Sequence, residues 1–299
     1  VISASPPFMP RPKPTGAIVQ SESVGRIGRL AVDYVRQGAR TVFARTNCQS
    51  PWHLFPPIYL DDTGAAYTLL LNPSGGLVGG DRLSIDMHLG QEAHVLISTP
   101  SANRVYRSLA EASVQDIKIR LDSGAILEWF PEHTIPFAGS CFRQSIQVQL
   151  EEGAVVLLWD GIASGRIARG ERWSFTSLEN EIRITTSTGQ SLMERYALKP
   201  GEGSGAVGLA EEWDYVGSLF LIGERVEPSV WATLETTLAD ILETCPGKVL
   251  GAVSRPAAPG LAVKLVARSA PDLTMILGDL WAAVRKCLWN LPAANLRRY

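Results

Sequence analysis

Apolar and polar residues alternate with a period of two through much of the first two-thirds of the chain. Examples are Ser84-Ile85-Asp86-Met87-His88-Leu89, Asp116-Ile117-Lys118-Ile119-Arg120-Leu121 and Ser145-Ile146-Gln147-Val148-Gln149-Leu150. That period sends successive side chains to opposite faces of an extended backbone, so each segment predicts a strand with one face inward and the other in water. A short turn ending in Gly-Ala or its equivalent follows, and then a more continuously apolar strand. The phrase recurs at 30–35 with Gly38-Ala39, at Gly64-Ala65, at 83–89 with Glu92-Ala93, at 117–121 with Gly124-Ala125 and at 146–150 with Gly153-Ala154. Its alanines stand at 39, 65, 93, 125 and 154, steps of 26, 28, 32 and 29 residues, in the range of units that stack on one another. A looser sixth copy runs over 182–191. Stacked hairpins, a sandwich and the coils of a β-helix all satisfy this pattern, and stacked β-helix-like layers are the favoured reading. In such a stack the segments leaving the second strands, 99–103, 130–134 and 159–166, fall along one edge, where loops carry function.

Past a Gly-rich break at 200–208 the pattern changes. Residues 216–222 read as a strand. Residues 228–243 read as a helix, with Pro near the start, Trp231, Leu234, Leu238 and Ile241-Leu242 at helical spacing, and Cys245-Pro246-Gly247 to end it. Residues 248–254 and 261–267 predict a hairpin pair, and 272–289 a second amphipathic helix. The expected organisation is a flexible Pro-rich leader over 1–27, a repetitive β-layered core with an internal path over 28–199, and a β-α-β-β-α portion over 200–299 packed on the core. The fold class is mainly β, stacked layers of β-helical or solenoid type, with a small C-terminal α+β portion containing two helices. Trp281, Leu288, Trp289 and Tyr299 put more apolar surface near the C-terminus than a small helix needs, which predicts a partner-binding surface there.

An apolar share of 45% and a charged share of 19% describe a globular chain. A formal net charge of −2 argues against nucleic acid or an anionic membrane as partner. No apolar run approaches the ~20 residues that span a bilayer, and the proline-rich segment 1–14 lacks the apolar stretch of a signal peptide. Cys48, Cys141, Cys245 and Cys287 are scattered, and His53, His88, His94 and His133 show no ligand spacing. Neither a local zinc site nor a disulfide framework follows, and a reducing cytoplasm fits best.

One stretch departs from the strand pattern, Leu71-Asn72-Pro73-Ser74-Gly75-Gly76-Leu77-Val78-Gly79-Gly80-Asp81-Arg82. Glycines 75, 76, 79 and 80 imply positive φ or close backbone approach, with Leu77 the more tolerant position. No Gly-Lys-Ser/Thr follows and no Gly-x-Gly-x-x-Gly opens a helix, so the stretch is neither a P-loop nor a dinucleotide turn.

Taken in order, Asn72 to Asp81, Thr99-Pro100-Ser101-Ala102-Asn103-Arg104-Val105-Tyr106-Arg107-Ser108 and Leu127-Glu128-Trp129-Phe130-Pro131-Glu132 resemble the UreD (UreH) family of urease accessory proteins. Pro136-Phe137-Ala138-Gly139, Leu158-Trp159-Asp160 with Gly165-Arg166, Arg169-Gly170-Glu171 and Met193-Glu194-Arg195 extend the match from about residue 28 to the C-terminus. The resemblance implies a cytoplasmic maturation factor, not an enzyme. It implies a largely β fold of helical topology that binds UreF, which recruits the GTPase UreG, and docks on apo-urease to deliver nickel. It implies no tightly bound cofactor, only transient Ni²⁺ following a water-filled internal route. Family positions tied to nickel passage fall on Asp81, Asn103, Asp160 and Glu194. Asn103 departs from a frequent Ser, and His133 stands where an acid is common.

Widely spaced carboxylates suit passage of the ion, since Ni²⁺ binds tightly to His and Cys clusters and loosely to isolated oxygens. Two other classes remain open from residues alone. One is a carboxylate-based hydrolase or lyase on a β-helical fold, which needs two acids facing one scissile bond. The other is a nucleotide-binding module on 75–80, which lacks the Lys and hydroxyl that grip phosphates.

Overall fold

The computed structural model describes residues 26–200 and 213–293. Residues 1–25 of the expected leader, most of the Gly-rich break and Tyr299 lie outside the described residues, and Ile27, counted with the leader, begins β1. Two β-sheets face one another and two helices cover the second sheet. The strands are β1 (Ile27–Gln37), β2 (Arg40–Cys48), β3 (His53–Leu54), β4 (Ala66–Leu71), β5 (Arg82–Leu89), β6 (His94–Ser98), β7 (Asn103–Val105), β8 (Ser113–Leu121), β9 (Ile126–Phe130) and β10 (Thr134–Pro136). They continue with β11 (Cys141–Leu150), β12 (Val155–Ala163), β13 (Ser177–Thr185), β14 (Ser191–Leu198), β15 (Tyr215–Gly223), β16 (Val249–Ser254) and β17 (Gly260–Ala267). The helices are α1 (Pro228–Glu243) and α2 (Ala270–Trp289).

The first sheet has the order β14-β13-β11-β8-β5-β1-β2 and the second β16-β17-β15-β12-β9-β6-β4-β3. Strands β1, β5, β8, β11 and β13 run parallel in the first sheet, and β4, β6, β9 and β12 run parallel in the second. The chain therefore climbs as a solenoid of about four coils, each giving one strand to each sheet. The fold class read from the sequence is the one observed.

The two strand types of the repeat have a physical cause. In β11 the burial alternates, because its outer face meets solvent, whereas every residue of β12 is buried. The second sheet lies between two apolar cores. Val156 and Leu158 face the first sheet, and Leu157 and Trp159 face the helices with Trp231, Leu238 and Leu280. A strand covered on both faces reads as a continuous apolar run.

The turns also repeat. Ala93, Ala125 and Ala154 each donate a backbone hydrogen bond of 3.0 Å to the residue three before, Gly90, Asp122 and Glu151. The residue ahead of each alanine takes a left-handed φ, 55° at Glu92, 69° at Gly124 and 75° at Gly153. The first copies differ from the sequence period. Gly38-Ala39 turns the chain into the antiparallel β1–β2 hairpin, and strand register aligns Gly64, not Ala65, with Ala93. The looser sixth copy is a hairpin too, β13–β14. Antiparallel strands thus close both flanks of the first sheet.

Strand β15 pairs antiparallel with β12, β17 with β15 and β16 with β17, so the C-terminal strands extend the second sheet. Helix α2 begins at Ser269, whose hydroxyl accepts the Asp272 N–H at 3.3 Å, an N-cap with an acid in the first turn.

Candidate functional site: a polar row inside the solenoid

Polar residues interrupt the apolar inner faces at one level. In the first sheet Gln115, Gln144, Asn180 and Tyr196 stand in register across β8, β11, β13 and β14. One step along, the register holds Ile117, Ile146, Ile182 and Glu194. In the second sheet Asp160, Ser218 and Lys264 stand in register across β12, β15 and β17. Asp160 shares its strand face with Leu158 and Ile162 of the inter-sheet core, so the period of two aims it at the first sheet.

These side chains meet. Asp160 Oδ1 accepts from Gln144 Nε2 at 3.0 Å, and Oδ2 accepts from Asn180 Nδ2 at 2.9 Å and from the Tyr196 hydroxyl at 3.5 Å. Asn180 Nδ2 also reaches the Tyr196 hydroxyl at 3.0 Å, and Gln144 donates to Asn180 Oδ1 at 3.1 Å. Beyond them Lys264 Nζ pairs with the Glu194 carboxylate and donates to Ser218 Oγ at 2.9 Å. Burial pushes the Asp160 carboxyl above the ordinary value of 3.8, against the pull of the Gln144 and Asn180 amides and the Lys264 charge. The Tyr196 hydroxyl is pushed well up by burial and by the Asp160 charge.

The row opens to the surface at one end through a cleft holding about 70 Å³ of water-accessible space, room for a few waters. Gly75, Gly76 and Asn103 line its rim, Trp129 its wall, and Gln144 and Asp160 its inner end. At the other end Glu194 and Lys264 are half-buried, with side chains 23% and 43% exposed.

Asn103 and Asp160 thus share one cleft, while Asp160 and Glu194 belong to two neighbouring hydrogen-bonded clusters, close enough for the Lys264 and Glu194 charges to act on Asp160. Asp81 is not brought to them. Its Oδ2 accepts the Val78 N–H at 2.9 Å and braces the glycine loop, and its Oδ1 accepts the Arg26 N–H at 2.8 Å and ties that loop to the chain entering β1. In that loop φ is positive at Gly75, Gly76 and Gly80. Gly79 lacks a positive φ, but an added Cβ there would lie 2.8 Å from the Glu111 carbonyl. Leu77 is fully buried, so truncating it also carries a packing cost. His133 packs edge-on against Tyr215 at 5.3 Å and lies 3.5 Å from the Glu132 carboxylate.

The expected C-terminal anchors divide. Trp281 is 4% exposed; its indole N–H donates to Glu128 and its ring lies 4.5 Å from Phe130. That side chain is committed to the interior and leaves no free surface for a partner, a correction to its expected role. Leu288 and Trp289 are half-buried against the helix-side core.

Sequence reasoning missed Gln144, Asn180, Tyr196, Ser218 and Lys264. The signal was present as polar breaks in inward alternation, Phe142-x-Gln144-x-Ile146 and Leu178-x-Asn180-x-Ile182. Among the described residues no three His, Cys, Asp or Glu side chains converge to hold a metal ion, and no helix is long and apolar enough to cross a membrane.

Fold and site define a β-solenoid whose concentrated polar chemistry lies in its interior. The model of the UreD urease accessory protein family matches residues 26–299, and the chain belongs to that family. It is 32% identical over 281 residues to the urease accessory protein UreD of Acaryochloris marina, covering 93% of this chain and 96% of the relative. It is 31% identical over 281 residues to that of Alkalilimnicola ehrlichii, covering 94% and 92%. To that of Picosynechococcus it is 34% identical over 222 residues, covering 74% and 78%.

Proposed function

We propose that this chain is a cytoplasmic urease-maturation scaffold that docks on apo-urease, binds UreF and, with UreG, passes Ni²⁺ to the urease active site. The observation that carries the reading is the inner-face polar row, in which the cleft at Asn103 reaches the Asp160 cluster and the Glu194–Lys264 pair lies beside that cluster. Carboxylate, amide and hydroxyl oxygens are weak partners for Ni²⁺ compared with imidazole or thiolate, so an ion moving along them is not trapped. Asp160 would offer its carboxylate oxygens to the cation, and Gln144 and Asn180 would turn their amide oxygens toward it. Lys264 holds Glu194 until a cation competes for that carboxylate. Asp81 then acts at a distance, by fixing the loop that forms the rim.

A hydrolase would need two acids facing one groove. Here Asp160 accepts amide N–H groups inside the molecule while Glu194 is held by Lys264.

The test is co-expression of urease and its accessory proteins with the Asp160→Asn, Glu194→Gln double variant. Nickel per urease active site and pull-down of the complex are measured together. Reduced nickel with the complex retained supports passage along the row. Full nickel loading refutes it, and loss of the complex makes these acids structural.

A further inference from the structure

Four loop segments lie side by side along one edge of the solenoid, near residues 75–79, 104–111, 137–139 and 166–174. Contacts stitch them together. The Tyr106 hydroxyl donates to the Gly75 carbonyl at 3.4 Å, the Tyr106 and Phe137 rings meet edge-on at 5.0 Å, and the Arg166 guanidinium lies 4.4 Å over the Phe137 ring. Backbone hydrogen bonds from Ser108 to the Gly139 carbonyl and from Gly139 to the Ser174 carbonyl tie the same segments.

The charge on this edge is one-sided. The carboxylates that meet it are each taken by an arginine: Glu111 by Arg82, Glu171 by Arg166 and Asp214 by Arg172. Arg104, Arg107 and Arg169 are exposed and make no ion pair among the described residues. The Arg107 stem lies against Gly139, where an added Cβ would meet its Cγ at 3.2 Å. Leu109, at 91%, is the most exposed large apolar side chain described, and Val78 is 37% exposed. Three exposed guanidinium groups without an ion pair among the described residues thus stand on the same edge as an exposed leucine, in a chain whose net charge is −2.

We infer that this edge is a docking surface for an acidic protein segment carrying an apolar side chain. Guanidinium groups pair with carboxylates in two parallel hydrogen bonds, and arginine with tyrosine is the composition of interface anchors. Leu109 supplies the apolar contact. A protein partner is favoured over nucleic acid because the chain lacks the overall positive charge that draws a polyanion, and because Leu109 offers nothing to phosphate. The inference is independent of metal passage and concerns a face that the proposed function leaves unassigned. Because Gly75, Gly76 and Asn103 also rim the cleft, a segment bound here would sit beside its mouth.

The test uses the full chain and a fluorescein-labelled peptide of repeated Glu-Glu-Leu, read by anisotropy. A Lys-Lys-Leu peptide, a DNA duplex and phosphatidylserine vesicles serve as controls. The wild type should bind the acidic peptide, more weakly as salt rises from about 50 to about 300 mM. Arg104→Glu, Arg107→Glu, Arg169→Glu together should weaken binding by roughly tenfold or more. The neutral set Arg104→Gln, Arg107→Gln, Arg169→Gln gives the same reading if the reversed set does not fold. Lys118→Glu with Arg120→Glu, on the outer face of β8, should leave affinity unchanged. No binding by the wild type, or undiminished binding by a folded triple variant, overturns the proposal. So does DNA or vesicle binding that is tighter than peptide binding and lost in the same variant.

Discussion

Glu128, in the middle of β9, accepts a hydrogen bond from Nη1 of Arg285 in α2 at 2.6 Å, across 157 positions of sequence. Both side chains are buried, and the same carboxylate accepts the Trp281 N–H and lies 2.7 Å from His94 Nε2. Arg285 in turn bonds Asp61 at 2.9 Å and donates to the Pro292 carbonyl at 2.8 Å. One buried acid therefore fastens the last helix to the β-core.

Removing that charge should loosen α2. Glu128→Gln removes the more buried of the two carboxylates that Arg285 bonds and leaves Asp61 as the remaining one, a loss at or below the low end of the roughly 3–5 kcal/mol for breaking a buried pair. Burial alone would raise the Glu128 carboxyl, but His94, Arg285 and the Trp281 N–H outweigh it and hold the carboxyl below 4.5. A depressed pKa contributes stability above the ordinary value that disappears as pH falls through the folded value. Urea melts at neutral and acid pH check both: the variant should be less stable at neutral pH, with the gap narrowing in acid.

Asp160 should show the opposite slope. Its folded pKa is raised, so its contribution is greatest below the ordinary value and is lost as pH rises through the folded value. The difference in unfolding free energy between wild type and Asp160→Asn, followed from about pH 4 to about pH 8, should shift against the wild type with rising pH. A flat difference would mean that Asp160 titrates like an exposed acid.

The glycine loop should discriminate by position. Gly76→Val drives a β-branched side chain into the Arg104 carbonyl at a φ of 148°, and Gly80→Val forces one at 88°. Both should reduce soluble yield sharply. Leu77→Ala, at a fully buried site, should cost about 2–5 kcal/mol and remain measurable by thermal melt.

Trp159 offers a separate test of packing. Its indole fills the space over Gly161 and Gly217, and a Cβ at Gly217 would overlap the ring. Gly217→Ala should therefore destabilise by about 1–3 kcal/mol through overpacking, read as a lowered Tm with unchanged far-UV circular dichroism.

The solenoid was legible because burial on one face or two leaves different signatures: Ile117, Ile119 and Leu121 alternate with charge, while 155–159 is apolar throughout. What misled was Ala39. A left-handed glycine before alanine marks the β1–β2 hairpin as well as the coil turn, and only strand pairing separates the two. The site was half legible. Asp160 and Glu194 carried a family motif, whereas Gln144 and Asn180 become visible as a row only when β11 and β13 are known to be neighbours. Lys264 lies in the C-terminal portion, and the antiparallel β15–β17 pairing carries it back to Ser218 and Glu194. Trp281 misled in the other direction, since an aromatic residue on an amphipathic helix has the same spacing whether it meets a partner or Phe130.

The hairpins that flank the first sheet also bear on polymerisation. Parallel coils can in principle add without limit, because the outermost coil presents the same backbone direction as the one beneath it. Here β2 and β14 reverse that direction at the two flanks, and Arg40, Arg45 and Arg195 place charge on them. A second molecule approaching either flank meets no continuation of the coil, and at β2 it also meets the exposed Arg40 and Arg45. The parallel winding of the first sheet is thus bounded at both flanks by the chain's own reversals.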